Sequence, residues 1–294
     1  MTSTLIVGGS GGLGSVIAEH FAGRGDDVIV TSRDKARAEA VADRIGGNTR
    51  GLALDLAHPE TISASLADVT EVDHLVITAV GQAANSLTQF SITDAVSAVT
   101  MKLVGYAETV RVLRDRFTPH ASVVLFGGLA KERPYPGSTV VSTFNAGITG
   151  LVRTLAVEIA PHRVNALHPG LIGDSPKWRD VPDPPHSAQT PIGRLVTMAE
   201  IADATDFLLR NTGINAHDLN IDGGPPGHLS SHDDGFGPDV VLRHSSRPWP
   251  SLPAPEGSVR SMCRTGQPDA GEADITASEA RGSASMRTHK RGLT

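Results

Sequence analysis

The feature that most constrains the fold lies at the start of the chain, in LIVGGSGGLGSVIAEHF, where an apolar run is followed by Gly8, Gly12 and Gly14 and then by a helical pattern. Leu5, Ile6 and Val7 read as a buried strand, and Gly8 permits the sharp turn after it. Gly12 and Gly14 leave backbone amides open at a helix N-terminus, with Ser10 and Leu13 inside the same loop. A strand, a glycine loop and a helix in this order cradle a pyrophosphate, because the helix start offers unpaired N–H donors. The spacing is GxxxGxG rather than the GxGxxG of the common dinucleotide fingerprint.

Apolar strand candidates then recur between helical patterns: Leu5 to Val7, Val28 to Val30, Leu52 to Leu54, Leu75 to Ile77, Val123 to Phe126, Val164 to Leu167, and Leu219 to Ile221. This alternation predicts an α/β fold, a single Rossmann-like, doubly wound parallel sheet of about seven strands with helices on both faces. Two central helices are expected, one with the stripe Val96, Val99, Leu103, Ala107, Val110 and Leu113, the other with Ile148, Leu151, Val152, Leu155 and Ile159.

At 294 residues, 39% hydrophobic and with a net charge of -6, the chain can bury a sizeable core, and nothing in it favours nucleic acid. Its one cysteine, Cys263, excludes an internal disulfide and makes a reducing cytoplasm the expected home. The N-terminus has no basic segment followed by a long apolar stretch, and no apolar run approaches the ~20 residues of a membrane span, so no membrane partner is expected. No cluster of His, Cys or carboxylates has metal-ligand spacing, so no metal is assigned. After Gly227 the texture turns to Ser, Pro, Gly, Arg and Asp, which predicts a folded domain over 1–227 and a disordered extension over 228–294.

The GxxxGxG loop and the segment NAGITGLVRTLAVEIAPHRVNALHPG together resemble the short-chain dehydrogenase/reductase family, from the first strand to about Gly227. The resemblance implies an oxidoreductase that binds a nicotinamide dinucleotide and a small-molecule substrate, and pairs as a homodimer or homotetramer through the two central helices. Ser32 stands where an NAD-selective member carries an acid for the ribose 2′-hydroxyl, and Arg33 follows it. A guanidinium there favours a 2′-phosphate and hence NADP(H), whereas the plain alternative is a solvated arginine opening a helix. Asp55 and Leu56 match the pair that contacts the adenine. Ala79 and Gly81 are what remains of the family's Asn-Asn-Ala-Gly. Pro169 and Gly170 match its Pro-Gly, with Ile172 at the backbone amide that holds the carboxamide.

The catalytic pattern breaks. The family's Tyr and Lys positions hold Val141 and Asn145, and thirteen residues back from Val141, where a Ser is expected, stands Gly128. Lys102 falls where the family's Asn belongs, so Asn and Lys are exchanged between the two helices. Valine cannot exchange a proton. The expected replacement is Lys102 at the nicotinamide ribose as anchor or proton donor, with Asn145 bonding the ribose hydroxyls; the alternative leaves Lys102 solvated and Asn145 an ordinary helix residue. His168 is a further acid candidate or a packed residue. The proline-rich segment 171–197, with Trp178, Pro182, Pro184, Pro185, His186 and Pro191, takes the place of the family's substrate loop.

Three functions stay open. One is NADP(H)-dependent reduction of a small carbonyl, enone, quinone or imine by an atypical proton donor. The second is nucleotide binding without turnover, as a sensor or scaffold. The third is a non-redox isomerase, lyase or cyclase on the same fold.

Overall fold

In a computed structural model of the chain, residues 1–81, 86–182 and 190–224 are described. Cys263, Pro184, Pro185, His186 and the extension beyond 227 lie outside the described residues. The seven expected strands are present: β1 (Ser3–Val7), β2 (Asp27–Ser32), β3 (Thr49–Ala53), β4 (Val72–Ile77), β5 (Phe117–Phe126), β6 (Arg163–Pro169) and β7 (Asp218–Ile221). They form one parallel sheet in the order β3-β2-β1-β4-β5-β6-β7.

Both faces of the sheet are covered, and the two-residue period of the strands sorts the side chains between them. Leu5, Val7, Leu75, Ile77, Val123 and Leu125 point to one face, where α5 (Tyr106–Leu113) and α6 (Thr139–Glu158) bury Val110, Leu113, Ile148 and Val152. Ile6, Val28, Val30, Val76 and Val124 point to the other, against Ile17 and Phe21 of α1 (Gly12–Gly23) and Ile201 and Leu208 of α7 (Met198–Arg210). Two shorter helices complete the layers, α2 (Lys35–Ile45) on β2 and β3 and α3 (Ile62–Ser65) against α5.

The strand order reverses between β1 and β4, so the loops leaving these two neighbours diverge and open a crevice at their carboxyl ends. Gly8 follows β1 and Thr78 follows β4, and both sit at this switch point.

The first central helix differs from its expected form. It is broken into α4 (Ile92–Val99), a π-helical segment over Thr100–Gly105, and α5. The wider π turn changes the helical phase. Ala95, Ala98, Lys102, Gly105, Tyr106, Thr109, Val110 and Leu113 are buried, while Val96 of the expected stripe is 60% exposed.

The second central helix corrects the expectation that no segment is long and apolar enough for a membrane. By length and composition α6 meets that test, with mean hydropathy 1.3. Thr, Gly and Asn scattered through it hide the run from a residue-by-residue reading. Its Phe144, Ile148, Val152 and Leu155 are buried in the core of the molecule.

Candidate active site

A cavity of about 880 Å³ occupies the crevice at the switch point. Its walls come from the glycine loop after β1, the segments after β2, β3 and β4, the ends of β5 and β6, and the broken helix from Asp94 to Lys102.

The glycine loop is tightly folded. Gly8 has φ +87°, and a Cβ there would lie 2.8 Å from the Ala79 nitrogen. A side chain on Gly14 would strike the Gly8 carbonyl and lie 2.8 Å from Thr78 Oγ1. Gly8 N–H donates to Thr31 Oγ1 at 3.2 Å, and Thr78 Oγ1 donates to the Val7 carbonyl at 3.2 Å. The neighbouring strands thus pin the loop from both sides.

At its far end Gly11 caps α1 without a side-chain bond, and the first turn of α1 carries no acid. The helix start therefore keeps its N–H donors and its positive end for an anion. Gly14→Ala is expected to destabilise the fold by about 1–3 kcal/mol and to weaken dinucleotide binding at least tenfold, read by thermal unfolding and fluorescence titration. Unchanged affinity would contradict the cradle.

At the β2 end of the cavity Ser32 and Arg33 line the wall as expected, and Arg37 joins them. Asp34 caps α2 by accepting from the Arg37 N–H at 3.3 Å, and this turn aims the Arg37 side chain back across the glycine loop. Its Nε donates to the Ser10 carbonyl at 3.4 Å, and its guanidinium lies over Gly11, 2.8 Å from where a Cβ would stand. Nothing in the sequence pattern marks Arg37 as a wall residue.

Of the remaining expected contacts, Ser10, Gly12, Leu13, Asp55, Leu56, Ala79, Gly81, Pro169 and Ile172 also line the cavity. Gly170 and Asn145 are not brought to its wall. A side chain on Gly170 would meet Asp222, at 2.7 Å from its Cβ, so that glycine serves a close backbone approach. Asn145 is buried in α6 beneath Gly128, where a Cβ would lie 2.9 Å from its Nδ2.

Lys102 reaches the cavity from the π-helical segment and is 2% exposed. Its Nζ donates to Tyr106 Oη at 2.9 Å, and Tyr106 Oη donates to the Ala79 carbonyl at 2.8 Å. The ammonium also lies 4.8 Å from the Tyr106 ring centre and 5.9 Å from that of Phe144. Burial without a neighbouring carboxylate lowers the Lys102 pKa to about 7. The same burial pushes the Tyr106 phenol well above its ordinary value, so Tyr106 stays neutral and serves as a hydrogen-bonded support. Tyr106 is not marked by the sequence, because the spacing of Lys followed by Tyr four residues on gains meaning only with both side chains on the buried face.

His168 is packed. Its Nδ1 accepts from the Gly128 N–H at 3.1 Å and its Nε2 lies 2.7 Å from Asp218 Oδ1, which sets the tautomer with the proton on Nε2. Burial lowers its pKa, with the Asp218 hydrogen bond opposing. It holds the Gly127–Gly128 turn from below, and Gly127 lines the cavity. Trp178 is half-buried, beneath the Lys177 ammonium at 4.7 Å, and is absent from the cavity wall. The ends of the substrate-loop segment are tied by a bridge between Ile172 and Val196, and 183–189 lie outside the described residues. Among the described residues there is no group of three or more metal-ligating side chains.

A family model described as enoyl-(acyl carrier protein) reductase matches residues 8–225. The chain belongs to the short-chain dehydrogenase/reductase family. It is 30% identical over 233 residues to the 3-oxoacyl-(acyl-carrier-protein) reductase FabG of Escherichia coli (strain K12), across 75% of this chain and 95% of that protein. The Bos taurus 3-oxoacyl-(acyl-carrier-protein) reductase is 28% identical over 227 residues, 74% of this chain and 95% of its own. Among solved structures, the 3-ketoacyl-(acyl-carrier-protein) reductase of Brucella melitensis complexed with NADH superposes with a TM-score of 0.68 at 26% identity, over 76% of this chain and 97% of that one. These relatives are oxidoreductases, and the short-chain family uses nicotinamide cofactors.

Proposed function

We propose that this chain is an NADP(H)-dependent reductase of a small carbonyl, enone, quinone or imine, with Lys102 as its proton donor. The observation that carries the reading is the position of Lys102: a buried amine, free of any ion pair among the described residues, on the wall of the cavity that begins at the glycine cradle. The dinucleotide fits the residues present. Gly8 and Gly14 are confined by neighbouring backbone, the start of α1 keeps its donors, and Arg33 and Arg37 face the cavity with no acid at position 32.

When bound, the reduced nicotinamide supplies a hydride. The chain supplies the rest. Arg33 and Arg37 would hold a 2′-phosphate by charge-assisted bonds, and the α1 amides would hold the pyrophosphate. Tyr106 holds Lys102 through the phenol oxygen and leaves its other N–H donors for the cavity. With its pKa near 7, Lys102 can give a proton to an oxygen that gains negative charge and recover it from water.

The test is direct. NADPH and NADH are titrated against the full chain, and absorbance of the reduced nicotinamide is followed with ketones, quinones, enones and imines. NADPH bound more tightly than NADH, with oxidation on at least one class, is the expected result. No nucleotide binding would overturn the reading, and tight binding without oxidation on any class would favour the second one, a nucleotide-binding protein without turnover. That second reading is supported by Gly128 and Val141, which offer neither hydroxyl nor phenol.

We propose in addition a cytoplasmic homo-oligomer paired through the two central helices. Val96, Val104 and Val157 expose 60%, 51% and 77% of their surface there. Val157→Glu is expected to shift the chain toward monomer in light scattering coupled to gel filtration. An unchanged mass would place any interface elsewhere.

A further inference from the structure

We propose that Lys102 is a nucleophilic amine that captures an aldehyde or unhindered ketone as an imine in this cavity. Three observations meet at one atom. Lys102 is almost fully buried, yet it lines a cavity of about 880 Å³ large enough for a small carbonyl compound. Its polar contact is a neutral phenol: Nζ is 2.9 Å from Tyr106 Oη, whose own proton is committed to the Ala79 carbonyl. Among the described residues it has no ion pair, and no carboxylate lowers the cost of its charge.

An amine in this setting spends much of its time neutral, with a free lone pair. Burial lowers its pKa to about 7, which makes the neutral amine accessible at neutral pH. The rings of Tyr106 and Phe144, at 4.8 and 5.9 Å, favour the ammonium, but they carry no net charge and offset only part of the lost hydration. Asp94 and Asp55 line the same cavity and neither forms an ion pair with it. A desolvated lysine held beside a cavity is the form in which this side chain does covalent work.

The chemistry balances without a redox partner. The neutral amine adds to the carbonyl carbon, and a proton passes from nitrogen to oxygen to give a carbinolamine. Water then leaves as the C=N bond forms. One amine and one carbonyl become one imine and one water, and hydrolysis reverses the step. No nucleotide takes part, so this capture stands whether or not the reduction proposed above occurs.

The chain holds five lysines, Lys35, Lys102, Lys131, Lys177 and Lys290, which makes the test clean. The full chain at pH 7 is mixed with propanal and sodium cyanoborohydride, then digested, and each lysine's propylation is timed by mass spectrometry. A parallel series with formaldehyde, the smallest carbonyl, removes access as a limit. Lys102 is expected to be alkylated at least tenfold faster than Lys35 and Lys177 at pH 7. That advantage should shrink as the pH approaches 10 and the surface amines lose their protons. Saturating NADPH should slow the Lys102 adduct if the nucleotide shares the cavity. Labelling of Lys102 no faster than Lys35 with either aldehyde overturns the proposal. If NADPH binding fails in the separate titration while Lys102 still labels first, the reductase reading falls and the imine chemistry remains.

Discussion

Lys102→Met is expected to abolish turnover while making the folded chain more stable. The substitution keeps an unbranched side chain of similar volume at a buried position, so packing is preserved. Losing a positioned proton donor costs about 10²- to 10⁴-fold in rate. The stability gain follows from the lysine's environment. Below pH about 7 the folded and unfolded chains both keep the Lys102 proton, and the folded state bears the full cost of burying the charge.

Between about 7 and the ordinary lysine value of 10.5 the folded chain releases that proton while the unfolded chain retains it. The unfolded state then binds more protons, so stability rises with pH across this window. Above it both forms are neutral and the cost has gone. The methionine variant escapes the cost at every pH, and the gain below pH 7 is at most about 5 kcal/mol, less whatever the unpaired Tyr106 oxygen gives back. Thermal unfolding at pH 6, 7.5 and 9.5 reads the effect: wild type should approach the variant as pH rises. In kinetics, a Lys102 ammonium that donates the proton makes kcat/KM for reduction fall as pH passes through about 7. Wild-type turnover in the methionine variant would remove the lysine from the chemistry.

The second large effect concerns cofactor choice. Replacing Arg33 and Arg37 together with alanine is expected to weaken NADPH binding by 10²- to 10³-fold and to leave NADH within a few-fold. Each charge-assisted bond to a phosphate is worth about 1.5–3 kcal/mol, and only NADPH presents the 2′-phosphate. Arg37→Ala alone should carry a substantial share, since its guanidinium is anchored over Gly11 by the Ser10 carbonyl. Ser32→Asp should act in the same direction by repelling the phosphate. Parallel titrations of both nucleotides at fixed ionic strength decide it. An equal loss for NADPH and NADH would mean that the arginines support the loop and do not read the phosphate.

The strands and the cradle were legible because they depend on short-range patterns. Leu5, Ile6 and Val7 alternate between two cores, and Gly8 needs its positive φ whatever packs nearby. The catalytic end was less legible. Helical periodicity places Val96, Val99, Leu103, Val110 and Leu113 on one stripe, and all but the exposed Val96 pack against the core; what periodicity does not show is that Lys102, in the π segment, is buried as well. Asn145 reads as a site residue from its place in the family pattern. In three dimensions it packs under Gly128, away from the cavity wall. His168 could be read as an exposed acid until Asp218, fifty residues later, supplied its partner.

The amino-acid sequence by itself determined the parallel sheet, the glycine cradle, the absence of the family's Ser and Tyr, and the presence of Ser32, followed by Arg33, where an acid is otherwise found. Each is a local property, written in residues within a few positions of one another. Only the tertiary structure decided that Lys102 is a buried amine held by Tyr106, that Arg37 reaches back over the cradle, and that His168 is a strut. Protonation and reach depend on what surrounds a side chain from every direction. Those surroundings come from segments far apart in sequence, joined when the chain folds.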